Sequence, residues 1–210
     1  MDLVTECIPQ AMRAQDEPGQ GLVQVYTGNG KGKTTAALGL ALRACGHRFT
    51  VAMIQFAKGV SYTGELFSLE RLYPEIRLYR FGRDCRRSSA IKQGFLSCRG
   101  CGECMIRPRE ITSEDRRLAE KGLNLALKIA TGDEVDILIL DEISLAVNLG
   151  LLSVDGVVKL IKERRHHMEI VLTGRDMPQE ILAEADLITE MREVRHPFVQ
   201  GIPARRGIEY

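Results

Sequence analysis

The stretch GLVQVYTGNGKGKTT constrains the fold of this chain most, because an apolar run passes through a glycine-rich turn into a helix-forming sequence. A phosphate-binding loop usually reads G-x-x-x-x-G-K-[ST]. Here only three residues separate Gly28 from Gly32, so the spacing is one residue short. At a strand–turn–helix junction, unpaired backbone N–H groups and the positive end of the helix dipole point to one place. Residues 28–35 are therefore predicted to bind phosphate, the alternative being a glycine-rich turn with a chance GKT.

A carboxylate pair lies far downstream, where DILILDE places Asp141 and Glu142 after an apolar run. In open α/β sheets, ligands bind at the carboxyl ends of the strands. Lys33 would reach a phosphate oxygen, Thr34 would place its hydroxyl on Mg²⁺, and Asp141 would hold Mg²⁺ directly or through water. Glu142 would orient a water, hold the metal or contact a second substrate. The alternative is that the two acidic residues only cap the next helix.

Strand-like and helix-like segments alternate along the chain. The predicted strands cover residues 21–28, 50–59, 75–81, 135–144, 169–175 and 186–194. The predicted helices cover residues 33–47, 64–73, 154–165 and 177–185, and another begins near Thr112 with the inner stripe Leu118, Gly122, Leu125 and Ile129. This alternation predicts an α/β fold of the P-loop NTPase-like (RecA-like) kind, with a mostly parallel sheet and helices on both faces.

Length and composition restrict the domain organisation and the location. A chain of 210 residues fits one domain, predicted at 21–210, with an N-terminal appendage at 1–20 and an irregular, Cys-rich insertion at about 82–111. The net charge of +1 indicates no nucleic-acid partner, and the absence of an 18-residue apolar run indicates no membrane span. Asp2 and Glu6 stand where a secretory signal would have a basic start. A cytoplasmic location, where cysteines stay reduced, is therefore expected.

Six blocks in order carry a resemblance to a known family. They are GLVQVYTGNGKGKTTAALGLALRACGH, QFAKG with GE at 64–65, ILDEI, LTGR, ADLITEMREVRHPFVQGI and the terminal GIEY. The chain closely resembles the P-loop type of ATP:corrinoid adenosyltransferase, also called cob(I)yrinic acid a,c-diamide adenosyltransferase, of which the short GNGKGKTT loop is characteristic. The resemblance implies that the Co(I) of a corrinoid attacks the 5′ carbon of ATP and that triphosphate leaves. The product would serve adenosylcobalamin (vitamin B12 coenzyme) biosynthesis or salvage.

The resemblance also implies roles for individual residues, with ATP, Mg²⁺ and a corrinoid as the bound molecules. The ATP-binding residues would be Gly28, Asn29, Gly30, Lys31, Gly32, Lys33, Thr34 and Thr35. The catalytic residues would be Lys33, Thr34 and Glu142, and the magnesium residues Thr34, Asp141 and Glu142. The residues near the corrinoid or ATP would be Gln55, Lys58, Glu65, Arg175, Arg192, Glu193 and His196. Simpler roles are that His196 caps a strand and that Arg175 anchors a turn.

The sequence shows no convincing general base and no Ser/His or Cys/His nucleophile pair. None is needed if the corrinoid supplies a very strong nucleophile. The protein would then position the substrates and stabilise charge on the departing triphosphate.

The chain departs from the family pattern in two places. Ser144 and Leu145 follow the carboxylate pair where the family usually has Asn and Tyr. Family members also often carry a Trp-containing aromatic stretch after the third strand, close to the lower face of the corrin. This chain has no Trp, reads YRFGRDCRRSS there, and offers Tyr79, Phe81 and Phe95 as the nearby aromatic residues.

The segment CRGCGEC places Cys98, Cys101 and Cys104 at the spacing of the first three ligands of a bacterial ferredoxin run. Pro108 stands at the fourth position of that run, so Cys85 would have to complete the site. Three interpretations remain open, namely an iron–sulfur cluster, a structural zinc site and metal-free thiols. The arginines nearby would meet a flavoprotein or ferredoxin-type electron donor or simply form a solvated basic loop; they are Arg83, Arg86, Arg87 and Arg99.

Two rival functions are compatible with parts of the sequence. A zinc-containing P-loop nucleoside kinase would use the same loop and four cysteines, with Glu142 as base, and would release ADP rather than triphosphate. A corrinoid-holding or redox-sensing carrier would use the same scaffold without catalysis. The family resemblance further implies a homodimer.

Overall fold

A six-stranded, wholly parallel sheet forms the centre of the computed structural model, which describes residues 19–59, 63–96 and 101–209. The strands are β1 (Val23–Thr27), β2 (Val51–Phe56), β3 (Ile76–Phe81), β4 (Ile137–Asp141), β5 (Glu169–Thr173) and β6 (Leu187–Glu190). Their order across the sheet is β3-β2-β4-β5-β1-β6. One strand, β5, therefore lies between the strand that enters the glycine-rich loop and the strand that ends at the carboxylate pair.

Seven helices connect the strands in the described part of the chain. They are α1 (Lys33–Gly46), α2 (Gly64–Glu70), α3 (Ser88–Lys92), α4 (Ser113–Ala130), α5 (Ile143–Asn148), α6 (Val154–Glu163) and α7 (Gln179–Leu182). Short 3₁₀ turns occupy Pro108–Glu110 and Pro197–Gln200. No helix within residues 19–59, 63–96 and 101–209 combines the length and the apolar character that crossing a bilayer requires.

The central strands are buried on both faces, as expected for a parallel sheet covered by helices. On one face, Ile54 and Leu138 pack into the core that α4, α5 and α6 close. On the other face, Met53 and Ile139 pack with Ala37 of α1. The predicted α/β class, with a mostly parallel sheet and helices on both faces, is confirmed.

All six predicted strands are longer than the observed ones, and for two of them the backbone shows why the strand ends early. The strand predicted to reach residue 144 ends at Asp141, because Glu142 takes left-handed backbone angles (φ 58°, ψ 30°) that turn the chain into α5, a helix the sequence did not predict. The strand predicted to reach residue 194 ends at Glu190, because the carbonyl of Met191 accepts its hydrogen bond from the N–H of Gly30 and leaves the sheet ladder.

The inner stripe of α4 contains Gly122 as predicted, but its other members lie one residue away from the predicted ones. Leu118, Leu125 and Ile129 lie half-buried at its flanks. The fully buried residues are Asp115, Ala119, Gly122, Ala126 and Ala130. A Cβ atom on Gly122 would lie 2.9 Å from ring atoms of both Phe56 and Phe81. Small residues therefore form the line of closest approach to the sheet, and the larger ones are displaced sideways.

The Cys-rich segment is tied to the start of α4 by one ion pair. Arg83 donates from Nε and Nη2 to the two carboxylate oxygens of Asp115, at 2.9 and 2.7 Å, and Nη2 also donates to the carbonyl of Glu110. Asp115 additionally accepts from the N–H and the hydroxyl of Thr112, each at 2.8 Å. The N–H of Asp115 donates to the Thr112 hydroxyl at 3.2 Å, so the two residues form a capping box. The hydrogen bond from Arg83 is the main reason that the pKa of Asp115 falls to about 2.

Asp115→Asn should lower the free energy of unfolding at neutral pH by about 1–3 kcal/mol, because it leaves Arg83 and the cap donors without a charged acceptor. The pKa of Asp115 in the folded chain lies below its ordinary value of 3.8. Its stabilising effect is therefore present above that value and disappears as the pH falls to about 2. Urea denaturation at several pH values should show the two proteins converging over this window. The exposed neighbour Glu114, changed to Gln, is the matched control. It loses a surface ion pair with Arg117 and should lower stability much less than Asp115→Asn does. An equal loss in both variants would contradict the prediction.

Candidate active site

The carboxylate of Asp141, at the end of β4, is fully buried and accepts four hydrogen bonds. Its Oδ1 accepts from the hydroxyls of Thr34, at 2.8 Å, and Thr173, at 2.7 Å. Its Oδ2 accepts from Lys58 Nζ, at 2.9 Å, and Gln55 Nε2, at 3.1 Å. Gln55 is the register partner of Asp141 in the neighbouring strand. Four residues from the loop helix, β2, the turn after β2 and β5 thus converge on one carboxylate.

Lys33 lies inside the glycine-rich loop with only 7% of its surface exposed. Its Nζ donates to the carbonyls of Gly28, at 2.8 Å, and Gly30, at 2.7 Å. Burial and the charge of Arg175 lower the pKa of this ammonium group. The loop therefore curls around a cation at the N-terminus of α1, where an anion is also attracted by the helix dipole.

The first two glycines of this loop, Gly28 and Gly30, are required by a close approach of the C-terminal segment. A Cβ atom on Gly28 would lie 2.5 Å from the carbonyl oxygen of Met191, and one on Gly30 would lie 2.7 Å from the same atom. The N–H of Gly30 donates to that oxygen at 2.7 Å. The sequence assigned these glycines only to ATP binding, whereas part of their role is to make room for Met191 and Arg192.

The side chains of Asn29 and Lys31 also contact the C-terminal segment. Asn29 Oδ1 accepts from the N–H of Glu193 at 2.9 Å. Lys31 Nζ lies 3.0 Å from Glu209 Oε1. The sequence drew attention to the terminal GIEY block but assigned no role to Glu209. Both side chains were predicted to bind ATP, and the structure shows that they hold residues from the far end of the chain.

Glu142 is half-buried beside Asp141, and its left-handed backbone lets its N–H donate to the hydroxyl of Thr173 at 3.1 Å. Burial raises the pKa of the Glu142 carboxyl, although the nearby ammonium of Lys58 acts in the opposite direction. Burial acts against the charge of Lys58 itself, but the charge of Asp141 and its hydrogen bond outweigh this and raise the pKa of Lys58. Sequence reasoning missed Thr173, whose only signal was its place in the LTGR block.

A cavity of about 540 Å³ opens next to this carboxylate pair. Lys58, Glu142 and Arg175 line its polar side. Its apolar side comes from Leu145 of α5 and from the Cys-rich segment through Cys104, Met105 and Ile106. The structure therefore brings three of the predicted site residues together with a segment that the sequence treated separately.

The turn that carries Arg175 is held by α5. Ser144, one of the departures from the family pattern, is fully buried, and its hydroxyl donates to the carbonyl of Arg175 at 2.6 Å. Asn148 Nδ2 donates to the carbonyl of Asp176 at 3.0 Å. Gly174 takes a φ of 148°, and a Cβ atom there would overlap the Ser144 hydroxyl. The backbone of the turn is thus anchored, and the Arg175 side chain is left to line the cavity.

The remaining predicted site residues, all in the described part of the chain, lie around the site but have no hydrogen bond to Asp141. Glu65 on α2 is half-buried and near enough to Lys58 to help raise its pKa. Arg192 and Glu193 are exposed beside the loop. His196 Nδ1 accepts from the N–H of Phe198 at 3.1 Å and so caps a 3₁₀ turn. The simpler role considered for His196 was therefore close, although it caps a 3₁₀ turn and not a strand.

The cysteines do not form a metal site on their own in the described part of the chain. Cys85 and Cys104 are half-buried and Cys101 is exposed. Within residues 19–59, 63–96 and 101–209, no three His, Cys, Asp or Glu side chains are grouped so that they could hold a metal ion. Cys98, the fourth predicted ligand, lies outside the described residues.

Comparison with known proteins finds relatives that match nearly the whole length of the described chain. The family model described as "ATP:corrinoid adenosyltransferase BtuR/CobO/CobP" matches residues 19–210. A corrinoid adenosyltransferase from a Sinorhizobium species is 34% identical over 193 residues, which cover 91% of this chain and 81% of that protein. The corrinoid adenosyltransferase of Pseudomonas aeruginosa is 33% identical, with 94% and 87% covered, and that of Escherichia coli K12 is 35% identical, with 94% and 89% covered.

Gly174→Ala should lower the free energy of unfolding by about 2–4 kcal/mol, because the new methyl group meets Ser144 and the backbone angle disfavours any side chain. Thermal or urea unfolding measures the effect. Gly39→Ala is the matched control, since Gly39 lies within α1 and a Cβ atom there has nothing within 4 Å. That change should stabilise the protein by about 0.5–1 kcal/mol. A neutral Gly174→Ala would show that the turn does not depend on this contact.

Proposed function

Because this chain belongs to the ATP:corrinoid adenosyltransferase family, we propose that the 5′-deoxyadenosyl group of ATP passes to the Co(I) of a corrinoid at the end of the sheet around Asp141. The observation that carries the proposal is the convergence of the loop cation Lys33, the hydroxyl of Thr34 and the carboxylate of Asp141 beside an open cavity. The product is the adenosylated corrinoid of vitamin B12 coenzyme biosynthesis or salvage.

The transfer is a displacement at carbon. An electron pair of Co(I) forms the bond to C5′ of the adenosyl group, and the C5′–O bond breaks with its electron pair on the departing triphosphate. The substrate is the nucleophile, so the protein needs neither a nucleophilic side chain nor a general base. Its contribution is to hold the cobalt and C5′ in line and to stabilise negative charge on triphosphate.

The loop is suited to triphosphate. Backbone N–H groups at the start of α1 and the helix dipole favour an anion there. The ammonium of Lys33 is already held inside the loop by the carbonyls of Gly28 and Gly30. The loop therefore presents a fixed positive charge where the leaving group would gain charge, and this charge needs no rearrangement during the reaction.

Thr34 and Asp141 fit Mg²⁺, because a hydroxyl and a buried carboxylate oxygen 2.8 Å apart are the hard oxygen donors that this ion prefers. When bound, Mg²⁺ neutralises part of the triphosphate charge. Lys58 and Gln55 bind the other oxygen of Asp141 and so fix the carboxylate plane. Glu142, which faces the cavity, is placed to contact the metal or the second substrate.

The cavity is suited to the corrinoid side of the reaction. Leu145, Met105 and Ile106 offer apolar surface, and Met105 is 65% exposed. Lys58 and Arg175 also line the cavity and offer positive charge. A flat apolar ring edged with polar groups would match such a surface. The Cys-rich segment would then supply a contact that other family members make with aromatic residues.

Two products decide between this proposal and its rivals. Full-length protein given ATP, Mg²⁺ and chemically reduced corrinoid should form a light-sensitive Co–C product and release triphosphate. Asp141→Asn should reduce kcat at least about 100-fold, because it would weaken the hold on the Mg²⁺ that stabilises the charge of the departing triphosphate. Asp155→Asn on the exposed start of α6 is the matched control and should keep activity within about twofold.

Each contrary outcome has a distinct meaning. ADP formed in the presence of a nucleoside would establish the kinase. Binding of corrinoid and ATP without formation of product would favour the corrinoid-holding or redox-sensing carrier. Neither is favoured by the family match, which covers the whole described chain.

We also propose that Cys85, Cys98, Cys101 and Cys104 hold an iron–sulfur cluster or a zinc ion. The support is the C-x2-C-x2-C spacing. Protein purified without oxygen should contain iron and be brown, or contain zinc and be colourless. Cys104→Ser should lower the metal content by more than half, whereas Cys45→Ser on α1 should not change it. Metal-free protein with all of these thiols titratable would refute the proposal.

Four further expectations need separate measurements. A homodimer would be seen by analytical ultracentrifugation. A flavoprotein or ferredoxin-type donor would reduce the bound Co(II) corrinoid on mixing. The cytoplasmic location and the division into an appendage at 1–20 and a domain at 21–210 can be checked by cell fractionation and by deleting residues 1–20.

A further inference from the structure

We propose that residues 191–209 form a strap that sets the shape of the phosphate loop, and that the Lys31–Glu209 ion pair is the clasp of this strap. Lys31 and Glu209 would then be positioning residues for ATP, because they act through the loop and not on the reacting atoms. The inference rests on the proposed function, since it deepens the account of the same ATP site.

Three successive loop residues contact this strap. Asn29 Oδ1 accepts from the N–H of Glu193 at 2.9 Å. The N–H of Gly30 donates to the carbonyl of Met191 at 2.7 Å. Lys31 Nζ reaches Glu209 Oε1 at 3.0 Å. The strap therefore contacts three consecutive loop residues, 29–31, by hydrogen bonds or an ion pair.

The carboxylate of Glu209 accepts hydrogen bonds from both Lys31 and Arg205. Its Oε1 accepts from Lys31 Nζ and, at 3.2 Å, from Arg205 Nη2. Its Oε2 accepts from the N–H of Arg205 at 2.7 Å and from Arg205 Nε at 3.3 Å. The side chain is only 15% exposed. One carboxylate thus closes the turn at the end of the chain and fastens that turn to the loop.

The contacts between the strap and the loop also affect the position of Lys33. Lys33 is held by the carbonyls of Gly28 and Gly30, and Gly30 is also held by the strap through its N–H. A loop already fixed in this shape loses less conformational freedom when it binds triphosphate, which raises affinity. By linkage, bound ATP must in return favour the fastened strap.

The first test is Mg-ATP binding, measured by calorimetry on the full chain so that it does not depend on turnover. Glu209→Gln and Lys31→Gln should each raise Kd about three- to tenfold, in the range expected for a partly exposed ion pair that also orders a loop. The double variant should be no weaker than the weaker single one, because both changes remove the same contact. Glu163→Gln, which removes an exposed carboxylate paired with Lys159 on α6, is the matched control and should not change Kd.

Steady-state kinetics separates positioning from catalysis. Glu209→Gln should raise KM for ATP by a factor similar to the rise in Kd, and it should keep kcat at saturating ATP within about twofold. A loss in kcat with unchanged KM would overturn the proposal. Weaker ATP binding in Lys31→Gln but normal binding in Glu209→Gln would also overturn it, because Lys31 would then act on phosphate directly.

The second test follows the strap itself through tryptic cleavage after Arg205 and Arg206, read by mass spectrometry. Cleavage should be at least several-fold faster in Glu209→Gln than in the wild type, and Mg-ATP should slow it in the wild type more than in the variant. Equal cleavage rates in both proteins would refute the clasp.

Failure of the proposed function has a different signature. Wild-type protein that binds Mg-ATP but forms no adenosylated corrinoid would refute the proposed function. The strap proposal would then be decided by the Mg-ATP binding measurements alone. Wild-type protein that binds no Mg-ATP would refute the ATP site, and the strap with it.

Discussion

The buried carboxylate of Asp141 is the interaction on which the rest of this site depends. A carboxylate without solvent is tolerated only when it is paired and hydrogen-bonded. Asp141 meets this condition with two hydroxyls, an amide and an ammonium that come from four different parts of the fold. The strand order matters here, since β4 lies between β2 and β5 and receives donors from both. The same order brings the N-terminus of α1 within reach of Asp141.

The glycine-rich loop next to this carboxylate is held in shape by Lys33, which it surrounds, and by the C-terminal segment, which packs against it. Inside, Lys33 draws two loop carbonyls toward its ammonium group. Outside, Met191 and Arg192 lie so close to Gly28 and Gly30 that neither glycine could carry a side chain there. A loop held in this way is a preorganised anion site, because its N–H groups need little rearrangement to meet a triphosphate. The shortened GNGKGKTT spacing is compatible with such a preorganised site, because the C-terminal segment packs against the turn and supports it.

The Cys-rich segment joins the site through packing and not through a metal centre within the described residues. Cys104, Met105 and Ile106 form one wall of the cavity that Glu142 and Arg175 also line. The segment is held in place by the pair between Arg83 and Asp115, at the start of α4. A chain without Trp can thus still present apolar surface beside the carboxylate pair, from a different element and with flexible aliphatic groups.

Sequence by itself determined the α/β class, the phosphate loop and the carboxylate pair, because each of these signals is carried by neighbouring residues. Short apolar runs indicate strands, apolar residues at helical spacing indicate helices, and GNGKGKTT and DILILDE are contiguous. It also identified Gln55, Lys58 and Arg175, but only through the family resemblance. It misplaced the ends of β4 and β6, since a left-handed residue at 142 and a carbonyl contact at 191 leave no local pattern.

Only the tertiary structure decided which partners these residues use. Thr173 meets Asp141, Ser144 holds the turn of Arg175, and Lys31 meets Glu209. The first two contacts join residues about thirty positions apart, and the third joins opposite ends of the chain. Such contacts follow from strand order and from close packing of helices on the sheet. No window of sequence contains both partners, so their proximity is a property of the fold alone.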